Sequence, residues 1–186
     1  IDIKCVQFGD YKLKSGECSP FYVDLRKLTG HPKAFRMAVD VMTAWTRYLR
    51  PEALAAIPMG GLPLASAVAN QAMIPMCYAR DPKSYGTSNT VEGDVRKKSK
   101  LLLVDDVITR GTSILETLPK LHDYVAKEVL VLVDRNGGGK KRLESHGIKL
   151  NSVFQLESLL WFWYTENMVD QGDFHRALDY IQRSQR

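Results

Sequence analysis

The residues best suited to chemistry follow a short apolar run, Leu101 to Val104. Two carboxylates come next, Asp105 and Asp106, and a loop of small and hydroxyl-bearing residues follows them: Val107, Ile108, Thr109, Arg110, Gly111, Thr112 and Ser113. Backbone N–H groups in a loop that leads into a helix form a cradle for anions. We therefore predict that the loop holds a monophosphate with its N–H groups and hydroxyls, and that the acidic pair holds vicinal ribose hydroxyls.

Other sites also place acidic residues after an apolar strand. The pair could only cap the next helix, and in ATPases an aspartate at this position holds Mg²⁺. The sequence lacks G-x-x-x-x-G-K-[ST], because Lys141 follows Gly139-Lys140 and Asp134 stands where the first glycine is required. No G-x-G-x-x-G follows a predicted strand. The sequence therefore argues against nucleoside-triphosphatase and dinucleotide-binding functions.

Composition sets wider limits. The chain has 186 residues, 45% hydrophobic and 25% charged, which predicts one domain spanning residues 1–186. The formal charge is +5, but Lys and Arg are scattered, so a small polyanionic substrate explains the surplus as well as nucleic acid does. The three cysteines and four histidines form no CxxC or HxxxH spacing, which indicates a reducing compartment and no zinc site.

The apolar runs of the sequence bear on the cellular location of the protein. None of them reaches the roughly 18 residues that a membrane span needs. We therefore expect a cytoplasmic protein that binds neither membrane nor nucleic acid. The chain starts at Ile1 rather than Met, so we expect that a leading segment has been removed or lies outside it.

Alternating helices and strands must position these residues. Periodicity predicts helices over Lys33 to Leu49, Leu62 to Gln71 and Ser113 to Tyr124, and strands over Leu54 to Ile57, Ile74 to Ala79, Leu101 to Val104 and Val129 to Val133. This order predicts an α/β fold with a central parallel sheet flanked by helices. Ligands bind beyond the carboxyl ends of such strands, where the loops after Ile57, Val104 and Val133 meet.

The segments outside this pattern are polar or terminal. Residues Cys5 to Leu13 and a strand over Phe21 to Leu25 predict a small hairpin or hood, at about residues 1–30. Arg80 to Lys100 is polar, which is typical of a functional lid or a disordered loop. Ser158 to Arg186 predicts amphipathic helix, with these packing residues: Trp161, Phe162, Trp163, Phe174, Leu178 and Ile181.

The segment from Leu101 to Ser113 resembles the type I phosphoribosyltransferases, whose signature is an apolar strand, two acidic residues and a Thr-x-Gly-Thr-like loop. The resemblance implies that these residues bind phosphoribosyl pyrophosphate (PRPP), with Asp105 and Asp106 also counted as catalytic. Arg110 departs from the small residue usual at its position.

The front of the chain narrows the resemblance to one family. Lys12 to Arg26 resembles the K-S-G-x-x-S-P-x-Y-x-D-x-R segment of orotate phosphoribosyltransferases. The resemblance implies that Lys14 contacts PRPP and that Tyr22, with Val23 and Thr109, contacts orotate. A hairpin with a core tyrosine and a solvated lysine is the alternative explanation.

The loop that starts at Arg80 is similar to the family's mobile catalytic loop. The resemblance implies that Arg80 and Lys83 meet the pyrophosphate, that Tyr85 replaces a His or Tyr, and that Lys83 is the main catalytic side chain. Ala79 stands where many members have Arg.

Two further loops match the family. The loop that contains Met59 and Gly60 resembles the family's loop on the pyrophosphate side of PRPP. Gly60 stands where bacterial members often have Lys. Arg135, in Asp-Arg after the strand Val129 to Val133, is implied to pair with the orotate carboxylate; a structural salt bridge with Asp134 is the competing explanation.

The resemblance also implies Mg²⁺ held mainly through PRPP, a homodimer whose catalytic loop reaches the neighbouring site, and in eukaryotic-type members fusion to orotidine monophosphate decarboxylase. Two alternatives stay open. One is a phosphoribosyltransferase for another base, and the other is a catalytically silent regulator or nucleic-acid-binding relative.

Overall fold

The computed structural model describes residues 1–12, 16–81 and 90–185. Its strands are β1 (Val6–Lys12), β2 (Cys18–Val23), β3 (Ala53–Ala56), β4 (Met76–Ala79), β5 (Val91–Glu92), β6 (Lys100–Ile108), β7 (Val125–Asp134) and β8 (Lys149–Gln155). Its helices are α1 (Pro32–Leu49), α2 (Gly61–Ala72), α3 (Thr112–Thr117), α4 (Gly139–Glu144), α5 (Leu156–Thr165) and α6 (Gln171–Ser184). Short 3₁₀ helices span Leu25–Gly30 and Leu118–Leu121.

The central sheet has six strands in the order β5-β4-β3-β6-β7-β8. All its neighbours pair in parallel except β4 and β5, which are antiparallel. Successive side chains of β3 point to opposite faces, so Leu54 lies in one core cluster and Ala55 in the other. The sheet is therefore covered on both faces, and the predicted α/β fold is confirmed.

The predicted hairpin is also confirmed. Strands β1 and β2 pair antiparallel, with Val6 opposite Val23 and Tyr11 opposite Ser19. Strand β2 begins at Cys18, earlier than the predicted Phe21, because β1 offers pairing partners along this whole stretch. The strand ends at Val23, and a 3₁₀ helix begins at Leu25.

Strand β6 is longer than its apolar run predicted. It continues from Val104 through Ile108, since β7 pairs alongside it as far as the partners Ile108 and Asp134. The prediction that the strand ends before the acidic pair was wrong, and both carboxylates project from regular strand. The following helix, predicted to reach Tyr124, ends at Thr117 because Pro119 cannot continue the α-helical hydrogen bonding.

The C-terminal region holds more elements than the single amphipathic helix predicted. Strand β8 and helix α4 were not predicted at all. The tail is broken between α5 and α6 at Asn167, whose φ is 56°, and Asp170 then caps α6 by accepting a hydrogen bond from the backbone N–H of Asp173 at 3.0 Å.

Most of the predicted packing residues of the tail lie in or against the core. Trp163, Phe174 and Ile181 are buried and Leu178 packs against the core cluster. Phe162 is 55% exposed, so its assignment was wrong. Trp161 is half exposed but still packs its ring against Phe174 at a centroid distance of 4.7 Å.

The polar stretch from residue 80 to residue 100 contains structure that its composition did not predict. Strand β5 pairs with β4 at the edge of the sheet, and Val95 is buried against the second core cluster. Residues 82–89 lie outside the described part of the chain. Among the described residues, no helix is both long and apolar enough to cross a membrane.

Candidate active site

A cavity of about 510 Å³ opens beyond the carboxyl ends of β6 and β7. It is lined by residues from the hood, the β6–α3 loop, the loop after β7, and α6: Glu17, Phe21, Asp105, Val107, Ile108, Thr109, Arg110, Gly111, Thr112, Ser113, Ile114, Arg135, Gly137, Tyr180 and Ser184. The fold thus brings the whole predicted phosphate loop together with Asp105 and Arg135.

The phosphate loop is held in shape by hydrogen bonds from the next loop and from α4. Gly111 has a φ of 71°, which side-chain-bearing residues rarely adopt, and this turn leads directly into α3. The backbone N–H of Gly139 donates to the carbonyl of Thr109 at 2.9 Å. The first N–H groups of a helix have no partner within it, so the start of α3 offers donors to an anion.

A cation stands beside this loop. Arg142 Nη1 donates to Thr112 Oγ1 at 2.9 Å and to the carbonyl oxygen of Arg110 at 3.3 Å. Because Thr112 accepts this bond, its own hydroxyl proton remains free to point toward a ligand oxygen. Arg110, which the sequence left unexplained, is exposed and lines the cavity.

The acidic pair is buried beside this loop, with Asp105 8% and Asp106 7% exposed. Asp105 Oδ1 accepts from the backbone N–H of Asp106 at 2.9 Å, and Asp106 Oδ1 accepts from that of Val107 at the same distance. Burial raises the pKa of both carboxyls, and the charge of Asp106 raises the pKa of Asp105 further.

This shift has a definite sign for stability. The folded chain keeps the proton on Asp105 to a higher pH than the unfolded chain does. The free energy of unfolding therefore falls as the pH rises from the ordinary aspartate range through the raised pKa of Asp105. This cost accompanies the placement of the Asp105 carboxylate at the edge of the cavity.

The loop after β3 closes against the acidic pair because two successive residues, Gly60 and Gly61, have no side chain. A Cβ on Gly60 would lie 2.4 Å from Asp106 Oδ1, and a Cβ on Gly61 would lie 2.4 Å from the carbonyl oxygen of Val104. Any residue larger than glycine at position 60 must therefore displace the Asp106 carboxylate. Met59, also predicted in this loop, is 76% exposed.

Arg135 follows β7 and enters the same cavity. Its Nε is buried and has no hydrogen-bond partner among the described residues, and its guanidinium lies 5.1 Å from the centroid of the Phe21 ring. Burial lowers the pKa of Arg135, and electrostatic interaction with Tyr180 and Tyr22 opposes that shift.

The structural salt bridge proposed as an alternative role for Arg135 is not formed. Both residues of the proposed pair are described, and Asp134 Oδ1 instead accepts from the backbone N–H of Asn136 at 2.8 Å. The Arg135 guanidinium is left in the cavity with an aromatic neighbour and no carboxylate at Nε.

The aromatic residue of the hood that lines the cavity is Phe21, which the sequence analysis missed. Tyr22 is not among the lining residues: it lies on the other face of β2, with its ring 5.5 Å from that of Tyr11 and its hydroxyl accepting from Arg26 at 3.5 Å. Val23 is buried in the core. Strand alternation was the available signal, since it separates Phe21 from Tyr22.

The remaining predicted residues lie away from this cavity or outside the described chain. Arg80 forms an ion pair with Glu92 and donates to the carbonyl oxygen of Asp81 at 3.1 Å. Ala79 is buried in β4. Lys14, Lys83 and Tyr85 fall outside the described residues.

Comparison with known proteins agrees with this geometry. The family model described as the phosphoribosyl transferase domain matches residues 32–155. The chain is 35% identical to the orotate phosphoribosyltransferase of Sulfolobus acidocaldarius, covering 99% of the chain and 94% of that relative. It is 33% identical to the uridine 5′-monophosphate synthase of Caenorhabditis elegans, covering 91% of the chain.

Among solved structures, UMP synthase of Leishmania donovani superposes with a TM-score of 0.89 at 29% identity, covering 98% of the chain. The chain spans 35% of the length of the Caenorhabditis synthase and 40% of that Leishmania chain, whereas it spans nearly all of the archaeal relative. The family model matches two thirds of the chain, and the archaeal relative aligns with 99% of it. The chain therefore belongs to the phosphoribosyltransferase family, in its orotate phosphoribosyltransferase branch.

Proposed function

We propose that this chain transfers the 5-phosphoribosyl group of PRPP to N1 of orotate, giving orotidine 5′-monophosphate and pyrophosphate in the synthesis of UMP. The observation that carries the choice of orotate is Arg135, which shares one cavity with the phosphate loop and whose buried Nε has no partner in the part of the chain that the structure describes. A planar guanidinium matches a carboxylate with two parallel hydrogen bonds. Orotate carries such a carboxylate, and uracil does not.

PRPP binding follows from the β6–α3 region. The loop from Val107 to Ser113 surrounds the cavity and supplies N–H groups and hydroxyls to the 5′-phosphate. The carboxylates of Asp105 and Asp106 accept hydrogen bonds from the ribose hydroxyls. This contact favours their ionised form and offsets part of the burial that raises their pKa.

We propose that catalysis comes from cationic side chains placed where negative charge develops on the leaving group. As the bond between C1 and the pyrophosphate oxygen breaks, positive charge builds on C1 and negative charge on the leaving group. Cations stabilise the leaving pyrophosphate, and on the basis of the resemblance to the family we assign this role to Lys83, Lys14 and Arg80, and a further PRPP contact to Tyr85. Orotate N1 gives up its proton to the released pyrophosphate or to solvent and forms the new bond to C1 on the face opposite the leaving group, while Arg135 holds the carboxylate.

The fit of Mg²⁺ can be judged from the described residues. They contain no cluster of three or more His, Cys, Asp or Glu side chains able to hold a metal by itself. An acidic pair alone suits Mg²⁺, which keeps several waters and takes its remaining ligands from substrate phosphates. Asp105 and Asp106 would contribute to holding it, and the ion would neutralise charge on the pyrophosphate.

We further propose that the chain acts in the cytoplasm, as a homodimer. Cys5, Cys18 and Cys77 are all free thiols, which supports a reducing compartment. Fusion to orotidine monophosphate decarboxylase is proposed on the basis of the similarity to UMP synthases, of which the chain matches only a part.

A base panel tests the proposed function. The purified chain is mixed with PRPP and Mg²⁺, and consumption of orotate, uracil and hypoxanthine is followed separately. We expect turnover of orotate alone, abolished by Lys83→Ala but retained by Lys127→Ala, a control for an exposed lysine near the opposite end of β7. Turnover of another base, or PRPP binding without turnover of any base, would overturn the proposal.

A further inference from the structure

Helix α6 supplies one wall of the cavity, although it lies outside the part of the chain that matches the family model. The model match ends at residue 155, whereas α6 spans Gln171–Ser184. Tyr180 and Ser184 both line the cavity. The hydroxyl of Ser184 donates to the carbonyl oxygen of Tyr180 at 2.9 Å, so its proton is used within the helix. Tyr180 is therefore the residue of α6 that can act on the site.

The position of α6 is fixed by contacts on two sides. Its apolar face, made by Phe174, Ala177 and Ile181, is buried in the core. On its other side Arg176 forms an ion pair with Asp10 of the hood, with an Nη1–Oδ1 distance of 3.2 Å. Tyr180 is thereby held against the hood rather than at a free helix end.

Tyr180 forms the outer member of a three-residue chain of contacts. Its ring meets that of Phe21 edge to face, with centroids 5.6 Å apart and an interplanar angle of 89°. Phe21 in turn lies under the Arg135 guanidinium at 5.1 Å. Both contacts have preferred geometries, since the positive edge of one ring faces the negative face of the next and a cation lies over a ring face.

Arg135 depends on this chain of contacts for its orientation. Its Nε has no hydrogen-bond partner in the described structure, so no polar contact at that atom fixes the plane of the guanidinium. The Phe21 ring lies against that guanidinium, and the Tyr180 ring is one of the contacts of the Phe21 ring.

We propose that Tyr180 is a positioning residue for the base: through Phe21 it sets the plane in which Arg135 presents its hydrogen-bond donors to the carboxylate of the substrate. The inference rests on the proposed function, because it takes Arg135 as the carboxylate ligand. It assigns a part of base recognition to the C-terminal helix.

Steady-state kinetics of three variants test this role. Tyr180→Leu removes the ring, and Tyr180→Phe removes only the hydroxyl. Tyr164→Leu is the matched control. Tyr164, in α5, stacks on Phe174 of α6 with ring centroids 4.1 Å apart, but it does not line the cavity. We expect Tyr180→Leu to raise the KM for orotate by roughly three- to tenfold, the size of one lost aromatic contact.

The KM for PRPP should stay within about twofold, as expected of an independent subsite. Tyr180→Phe should behave like the wild type, and Tyr164→Leu should lower the thermal stability without changing the KM for orotate. In an Arg135→Met background, Tyr180→Leu should have no further effect on kcat/KM for orotate, since its partner is gone. If Tyr180→Leu does not fold, Tyr180→Met keeps the apolar packing and still lacks the ring.

The outcomes separate the two claims. Wild-type protein that does not consume orotate would overturn the proposed function and this inference with it. Wild-type protein that consumes orotate, together with a Tyr180→Leu variant whose two KM values are unchanged or rise equally, would overturn only the role of Tyr180. An additive effect in the Arg135→Met background would also contradict it.

Discussion

Replacing Arg135 with methionine should have opposite effects on substrate recognition and on the stability of the ligand-free fold. The guanidinium is largely buried and its Nε has no partner within residues 1–12, 16–81 and 90–185, so the folded chain carries the desolvation cost of a charge without compensation at that atom. Methionine has a similar length and no charge. The substitution therefore relieves a cost in the free protein while it removes the proposed ligand of the orotate carboxylate.

The expected magnitudes follow from the contacts. Losing a hydrogen bond between charged groups costs about 1.5–3 kcal/mol, so kcat/KM for orotate should fall roughly 10- to 150-fold. Relief of a buried charge stabilises by about 1–4 kcal/mol. The lost cation–π contact with Phe21, 5.1 Å away, offsets roughly 0.5–2 kcal/mol of that gain. At the centres of these two ranges the gain exceeds the loss by about 1 kcal/mol, so the melting temperature without ligand should rise by roughly 2–4 °C.

The assay combines thermal unfolding of the ligand-free protein with kinetics at varied orotate and saturating PRPP. Arg135→Lys is the matched control, because it keeps the charge but loses the two-pronged donor geometry, and it should lose much of the activity without the gain in stability. The reasoning is refuted if Arg135→Met lowers the melting temperature by several degrees, or if it changes the KM values for PRPP and orotate equally.

Four further substitutions probe the rest of the site. Asp105→Asn keeps an oxygen that can accept from the backbone N–H of Asp106 but removes the carboxyl group whose pKa is raised. It should therefore increase the melting temperature at neutral pH and not at acid pH. It should also lower kcat/KM for PRPP about 10- to 100-fold. Gly60→Ala should mainly weaken PRPP binding, because the new Cβ meets the Asp106 carboxylate, which can rotate. The Cβ of Gly61→Ala meets the backbone of Val104 and Asp105 instead. That variant should lose about 1–3 kcal/mol of the free energy of unfolding, measured by chemical denaturation. Arg142→Met should raise the KM for PRPP roughly three- to tenfold and leave that for orotate unchanged, because Thr112 loses the donor that orients its hydroxyl. The role of the Asp105 carboxyl is contradicted if Asp105→Asn and the wild type have equal melting curves at every pH. The difference between the two glycine sites is contradicted if both variants are equally stable, and the Arg142–Thr112 contact is contradicted if Arg142→Met leaves the KM for PRPP unchanged.

The parts of the site that could be predicted from sequence are those encoded in one continuous segment. The apolar run before Asp105 predicted a strand, the glycine and hydroxyl residues after Asp106 predicted a loop, and the Asp134-Arg135 pair marked the end of the strand β7. Strand–helix alternation then placed the loops at one edge of a parallel sheet, and the cavity lies there.

The parts that could not be predicted depend on contacts between distant segments. Strand β6 extends past Val104 because β7 pairs beside it, which its own composition does not reveal. Phe21 rather than Tyr22 lines the cavity because the pairing of β2 with β1 and the position of α6 determine which face of β2 looks inward. Tyr180 carries no motif, and only the packing of α6 on the hood brings it to the site.

The central claim is that transfer to orotate is the reaction of this cavity. It is tested most directly by measuring orotate consumed and pyrophosphate released in the same reaction mixture with PRPP and Mg²⁺. The account predicts that the two amounts are equal, and that both processes stop when orotate is left out. Pyrophosphate release that continues without orotate, or that exceeds orotate consumption, would show that the cavity hydrolyses PRPP or serves another acceptor, and would contradict the account.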